Sequence, residues 1–82
     1  MNDLQKILKE AEDLGLEVEW QSDDGKTIQL IDKRSYDWLV VFEITAENCN
    51  VVEYNYDNAQ PEQSNETVPT FEEALSMAGE WC

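Results

Sequence analysis

The apolar residues of this chain repeat with a helical period up to Gly15, switch to a period of two, and return to the helical period after Pro69. A chain that changes period in this way is constrained to a sheet flanked in sequence by helices, because each period gathers its apolar side chains on one face only in its own geometry. Leu4, Ile7, Leu8, Ala11 and Leu14 predict a helix over residues 3–14. Asn2 is placed to cap it with Gln5 three residues on, and Gly15 provides a left-handed stop followed by Leu16.

Leu16, Val18 and Trp20 then alternate with Glu17, Glu19 and Gln21, the pattern of a half-buried strand with acids on its wet face. Ser22-Asp23-Asp24-Gly25 has the turn chemistry of a hairpin. A second strand over 27–33 points Ile28 and Leu30 inward and Gln29 and Ile31 outward, and the turn after it holds Tyr36, the aromatic expected to be most exposed. The third strand, 37–45, is apolar on both sides: Trp38, Val40, Phe42 and Ile44 on one, Leu39 and Val41 with Glu43 on the other. Such a strand belongs in the middle of a sheet.

Residues 51–57 predict a fourth strand with Val52, Tyr54 and Tyr56 inward and Val51, Glu53, Asn55 and Asp57 outward, followed by a polar loop over 58–68 that contains Pro61. Thr70, with Glu73 three residues later, forms a capping box, and Phe71, Ala74, Leu75, Ala78 and Trp81 mark the apolar stripe of a second helix. The expected fold is α+β, a four-stranded antiparallel sheet with two helices on one face in the order α-β-β-β-β-α, and the 82 residues make a single domain.

Charge limits the function. Five Lys and Arg face 19 Asp and Glu for a net charge of −14, and no basic residue follows Arg34, so residues 1–34 carry −4 and residues 35–82 carry −10. Uncompensated charge of this size repels itself, and it also repels anionic lipid and nucleic acid. Neither a membrane nor DNA or RNA is therefore an expected partner, whereas a basic protein is. An apolar fraction of 41%, with three Trp and three Tyr, is too rich for a disordered acidic tail.

The chain has no histidine, which removes the commonest general base and the usual partner of a nucleophilic Ser or Cys. Cys49 lies among Glu47, Asn48 and Asn50, where a negative field is expected to raise its thiol pKa rather than activate it. No catalytic residue is assigned. Asp23-Asp24-Gly25 and Asp57-Asn58 with Glu62 do not follow the calcium-loop spacing, and two cysteines are too few for structural zinc, so no metal and no cofactor is expected. The start of the chain lacks a signal-like segment and the longest apolar run, 38–42, has five residues. These features predict a cytoplasmic protein with free thiols at Cys49 and Cys82, and they leave the sequon Asn65-Glu66-Thr67 without meaning.

Two surfaces are candidates for partner binding. On the expected outward sheet face Ile31, Leu39, Val41 and Val51 form an apolar strip flanked by Glu17 and Glu19 on one side and by Glu43, Glu53 and Asp57 on the other. The second surface is the loop and helix start bearing Asp57, Glu62, Glu66, Glu72 and Glu73. Trp20, Trp38, Trp81, Tyr54 and Tyr56 are assigned to the core.

Small size, the α-β-β-β-β-α order and the acidic run from Asp37 to Glu80 together resemble the small acidic inhibitor proteins of bacteriophages, including anti-CRISPR proteins and other nucleic-acid mimics. The resemblance is one of class and covers the whole chain without a shared motif. It implies a stoichiometric blocker whose carboxylates take the positions of phosphates in the basic nucleic-acid-binding channel of a host protein, acting in the host cytoplasm. Two alternatives fit the same charge: an immunity protein or antitoxin that plugs a nuclease toxin, and an acidic regulatory module that pairs with a second copy through the sheet.

Overall fold

The computed structural model describes residues 2–81. Helix α1 (Leu4–Leu14) precedes five strands, β1 (Glu17–Gln21), β2 (Thr27–Lys33), β3 (Trp38–Thr45), β4 (Cys49–Asn55) and β5 (Glu62–Val68), and helix α2 (Phe71–Glu80) follows them. The strands form one antiparallel meander in the order β1-β2-β3-β4-β5. The α+β class is as expected, with five strands in place of four.

Both helices pack on the same face of the sheet. Ile7 and Ala11 of α1 and Phe71, Ala74 and Ala78 of α2 meet Ile28, Leu30, Val40, Phe42, Ile44, Cys49 and Val51 in one core. Phe71 packs its ring edge-to-face on Phe42, with centroids 5.5 Å apart at 80°. No helix among the described residues is long and apolar enough to cross a membrane.

The helix boundaries follow from local chemistry. Asp3, rather than Asn2, caps α1 by accepting the Lys6 amide, while Gly15 turns left-handed at φ 77° and Leu16 donates its amide to the Ala11 carbonyl. Asn2 does something the local pattern does not show: its side chain donates to the Thr45 and Asn48 carbonyls and accepts the Phe71 amide, tying the start of α1 to the β3–β4 turn and to the start of α2. Leu14 ends up 55% exposed, off the packed stripe. Thr70 caps α2 through the Glu73 amide, as expected.

Three placements differ from the alternation pattern, each for a reason of register. β5 lies within the segment expected to be a loop, because its sequence EQSNETV has no apolar alternation. It is held by backbone pairing with β4 and by a hydrogen bond of 2.8 Å from Thr67 Oγ1 to Asn50 Oδ1. Polar and charged residues are what a sheet edge needs to avoid pairing with other chains.

β4 has the opposite phase to the one expected. The turn after β3 is short, with the Thr45 amide bonded to the Asn48 carbonyl, so Cys49 stands opposite Ile44 and Val51 opposite Phe42. A one-residue slip of this kind exchanges the faces of every side chain in the strand. Cys49, Val51 and Glu53 therefore point to the helices, and Val52 and Tyr54 point away. In β1 a bulge between Val18 and Trp20 leaves Val18 opposite Leu30 but sets Trp20 opposite Gln29, on the face away from the helices.

Candidate functional site

The face of the sheet away from the helices is uncovered, and three of its cross-strand rows of side chains make up the candidate site. The middle row is Glu17, Ile31, Val41, Val52 and Asn65; on one side of it lie Lys33, Leu39, Tyr54 and Glu62, on the other Trp20, Gln29, Glu43, Asn50 and Thr67. Neighbouring strands stand about 4.8 Å apart and successive rows about 6.6 Å apart, so these groups are held on a fixed grid. The centre is apolar: Ile31, Leu39 and Val41 are half-buried and Val52 is only 6% exposed, shielded by its neighbours without any helix over it.

Of the carboxylates assigned to this face from sequence, Glu17 and Glu43 stand on it in the ladder and Glu19, at the β1 bulge, lines it beside Trp20, all three exposed, and Glu62, assigned to the acidic loop, joins them from β5. Lys33 Nζ lies 3.4 Å from Glu17 Oε2, an exposed ion pair of little energetic weight. Glu19 and Glu43 have no ion-pair partner among the described residues. Together with Trp20 and Gln29 they line a shallow hollow of about 490 Å³.

Glu53 does not belong to the site. It points under the helices at 9% exposure, and its Oε2 accepts the Trp38 indole N–H at 2.9 Å. The Arg34 guanidinium lies 5.9 Å from the Trp38 ring centroid, pairs with Asp32 at 3.3 Å and donates to the Ala78 carbonyl at 2.8 Å. This polar cluster closes one end of the core and fastens the last turn of α2 to the sheet. The expected grouping of Glu43, Glu53 and Asp57 on one side is thus dissolved: Glu43 is on the open face, Glu53 is buried behind it, and Asp57 is in the β4–β5 turn with its amide on Asn55 Oδ1.

The second acidic surface also divides. Glu66 stands opposite Val51, on the helix side of β5, and Glu72 and Glu73 occupy the first turn of α2, where they complement the positive helix end. Val51, expected in the outward apolar strip, is fully buried in the core, and Val52 takes its place.

The aromatic residues are the part of the face that the sequence pattern did not reveal. Trp20 is 50% exposed, and Tyr54 and Tyr56 stack on the open side with centroids 5.9 Å apart and planes 5° from parallel. Partial burial, and after it the nearby Glu62 carboxylate, raises the Tyr54 hydroxyl pKa above its ordinary value. Tyr36 at the β2–β3 turn is fully exposed, as anticipated. The length of the β3–β4 turn, which the folded chain sets, puts Tyr54 on this face, and nothing local marks the bulge that moves Trp20.

Cys49, which precedes the fourth strand expected over 51–57, in fact begins β4 inside the core, where burial pushes its thiol up to about 12. The cause is loss of water rather than the negative field inferred from its neighbours. Cys82 lies outside the described residues. Among the described residues no group of three or more His, Cys, Asp or Glu side chains is arranged to hold a metal ion. Comparison of the chain with protein-family models, with curated proteins and with solved structures finds no match.

Proposed function

We propose that this protein is a non-catalytic acidic inhibitor that docks the open face of its sheet on the basic nucleic-acid-binding surface of another protein and so blocks access of nucleic acid. The observation that carries this reading is an uncovered sheet face with an apolar centre at Ile31, Leu39, Val41 and Val52 and carboxylates at Glu17, Glu19, Glu43 and Glu62 around it. Apolar contact at the middle of an interface provides affinity, and charge at its rim provides speed and selection of partner. Duplex DNA carries one charge per roughly 1.7 Å of axis, so a surface shaped for it is densely cationic and attracts a rigid anionic grid. The net charge of −14 favours a basic partner over a second copy, whose pairing through the same face would oppose two sets of carboxylates.

Immobilised protein should retain nucleic-acid-binding proteins from a lysate at low salt and release them when duplex DNA or high salt is added. Retention that is indifferent to DNA overturns the reading, and so does a face-to-face dimer in sedimentation at low salt. An immunity protein for a nuclease toxin would use the same face, and a toxin gene beside this one would favour that version of the inhibitor.

A further inference from the structure

The Trp20 hollow lies outside the packed core of the fold. The indole of Trp20 is half in water, whereas its place in the alternation Leu16-Val18-Trp20 would have put it under the helices had the strand been regular. The extra residue at Glu19 reverses this, turning the indole to the open face and bringing it beside Gln29 and Glu43. Bulges commonly re-aim a side chain in this way at functional positions. The indole presents a π surface, Glu19 and Glu43 stand at the rim without an internal cation, and Gln29 adds a neutral amide.

We propose that the hollow formed by Trp20, Glu19, Gln29 and Glu43 is a receptor for a single arginine side chain of the basic partner. The proposal rests on the reading of the open face as a docking surface and adds which group of the partner is gripped. A guanidinium fits the three kinds of wall at once. Its plane lies against the indole, which is the strongest cation–π acceptor among the side chains, and its N–H fork reaches carboxylate oxygens at the edge. A lysine ammonium is more strongly hydrated and cannot fork, so it gains less from the same walls. The site therefore discriminates among cations where overall charge does not.

The test is NMR titration of the full chain with acetyl-Gly-Arg-Gly-amide, with the lysine tripeptide and the neutral citrulline tripeptide as controls. The expected result is a saturable shift of the Trp20 indole N–H and the Gln29 side-chain amide by the arginine peptide, weaker binding of the lysine peptide and none of citrulline. Trp20→Ala should weaken arginine binding about tenfold, and Glu43→Gln by several-fold. An unchanged Trp38 indole signal, from the group bonded to Glu53, certifies that each variant is folded. Equal shifts with arginine and lysine, shifts spread evenly over the acidic surface, or binding unaltered by Trp20→Ala each overturn the proposal. Partner capture separates the two claims: a variant lacking Trp20 that still retains basic proteins as well as the wild type defeats the arginine receptor alone, whereas arginine binding at Trp20 with no retained basic protein defeats the inhibitor reading alone.

Discussion

The face under the helices and the face away from them are built from alternate residues of the same strands, yet they resolve their polar groups in opposite ways. Under the helices, Glu53 accepts from Trp38, Arg34 pairs with Asp32, and among the described residues no buried side-chain polar atom lacks a partner. On the open face Glu19 and Glu43 surround an exposed indole with no cation beside them. Burial makes an unpaired charge expensive, so the covered face must complete its own pairs, while water tolerates the incomplete ones outside. Stability and recognition are thereby assigned to different sides of one sheet, and substitutions should separate them.

The strongest way to break this division is charge reversal on each side. Glu53→Lys should cost about 3–5 kcal/mol, a large share of the stability of a domain of this size, because it buries a cation at the Trp38 indole, whose ring Arg34 already faces, and removes the acceptor of the indole N–H. Glu43→Lys should leave stability within about 0.5 kcal/mol while weakening partner binding. Chemical denaturation of the two variants reads the contrast directly, and equal losses would end the distinction between the faces.

Two leucines offer a second comparison. Leu30 is fully buried under the helices and Leu39 half-buried on the open side. Truncation of Leu30 to Ala should cost about 2–5 kcal/mol, and the same change at Leu39 about 1 kcal/mol with a larger proportional loss of binding. If Leu39→Ala melts the protein as Leu30→Ala does, the open face is part of the core. Trp38→Phe sharpens the picture further, since it keeps the ring but leaves the Glu53 carboxylate without its donor, for an expected loss of about 1–3 kcal/mol.

Alkaline titration probes the covered face without mutation. The Cys49 thiol titrates near its ordinary value of 9.0 when unfolded and at about 12 when folded, so within that window the unfolded chain has lost a proton that the folded chain keeps. Stability is then fully present below the lower value and falls as pH rises toward the upper one. The raised Tyr54 hydroxyl acts in the same direction. Cys49→Val should flatten the pH dependence of the melting temperature between these values. The smallest effect belongs to Tyr36→Ala, which should change stability by less than about 0.5 kcal/mol because its ring is wholly in solvent.

These contrasts also show which parts of the fold were legible beforehand. The phases of β2 and β3 were readable because Ile28, Leu30, Val40, Phe42 and Ile44 alternate without interruption and the partner strands on both sides agree. The phase of β4 was not, since Val51 and Val52 offer an apolar residue to either face and only the turn length chooses between them. That choice carried Glu53 out of the candidate site and Tyr54 into it.

By itself the sequence determined both helices and the left-handed stop at Gly15, the hairpin at Gly25, the central position of β3 and the excess of acid, because each depends on residues close together in the chain or on a simple sum. The tertiary structure alone decided that β5 pairs, that Glu53 is buried and that Trp20 faces outward. Those outcomes depend on ladder register, where one extra residue in a turn or a bulge exchanges the two faces of a strand, and register is settled by the closing of the whole sheet over its core.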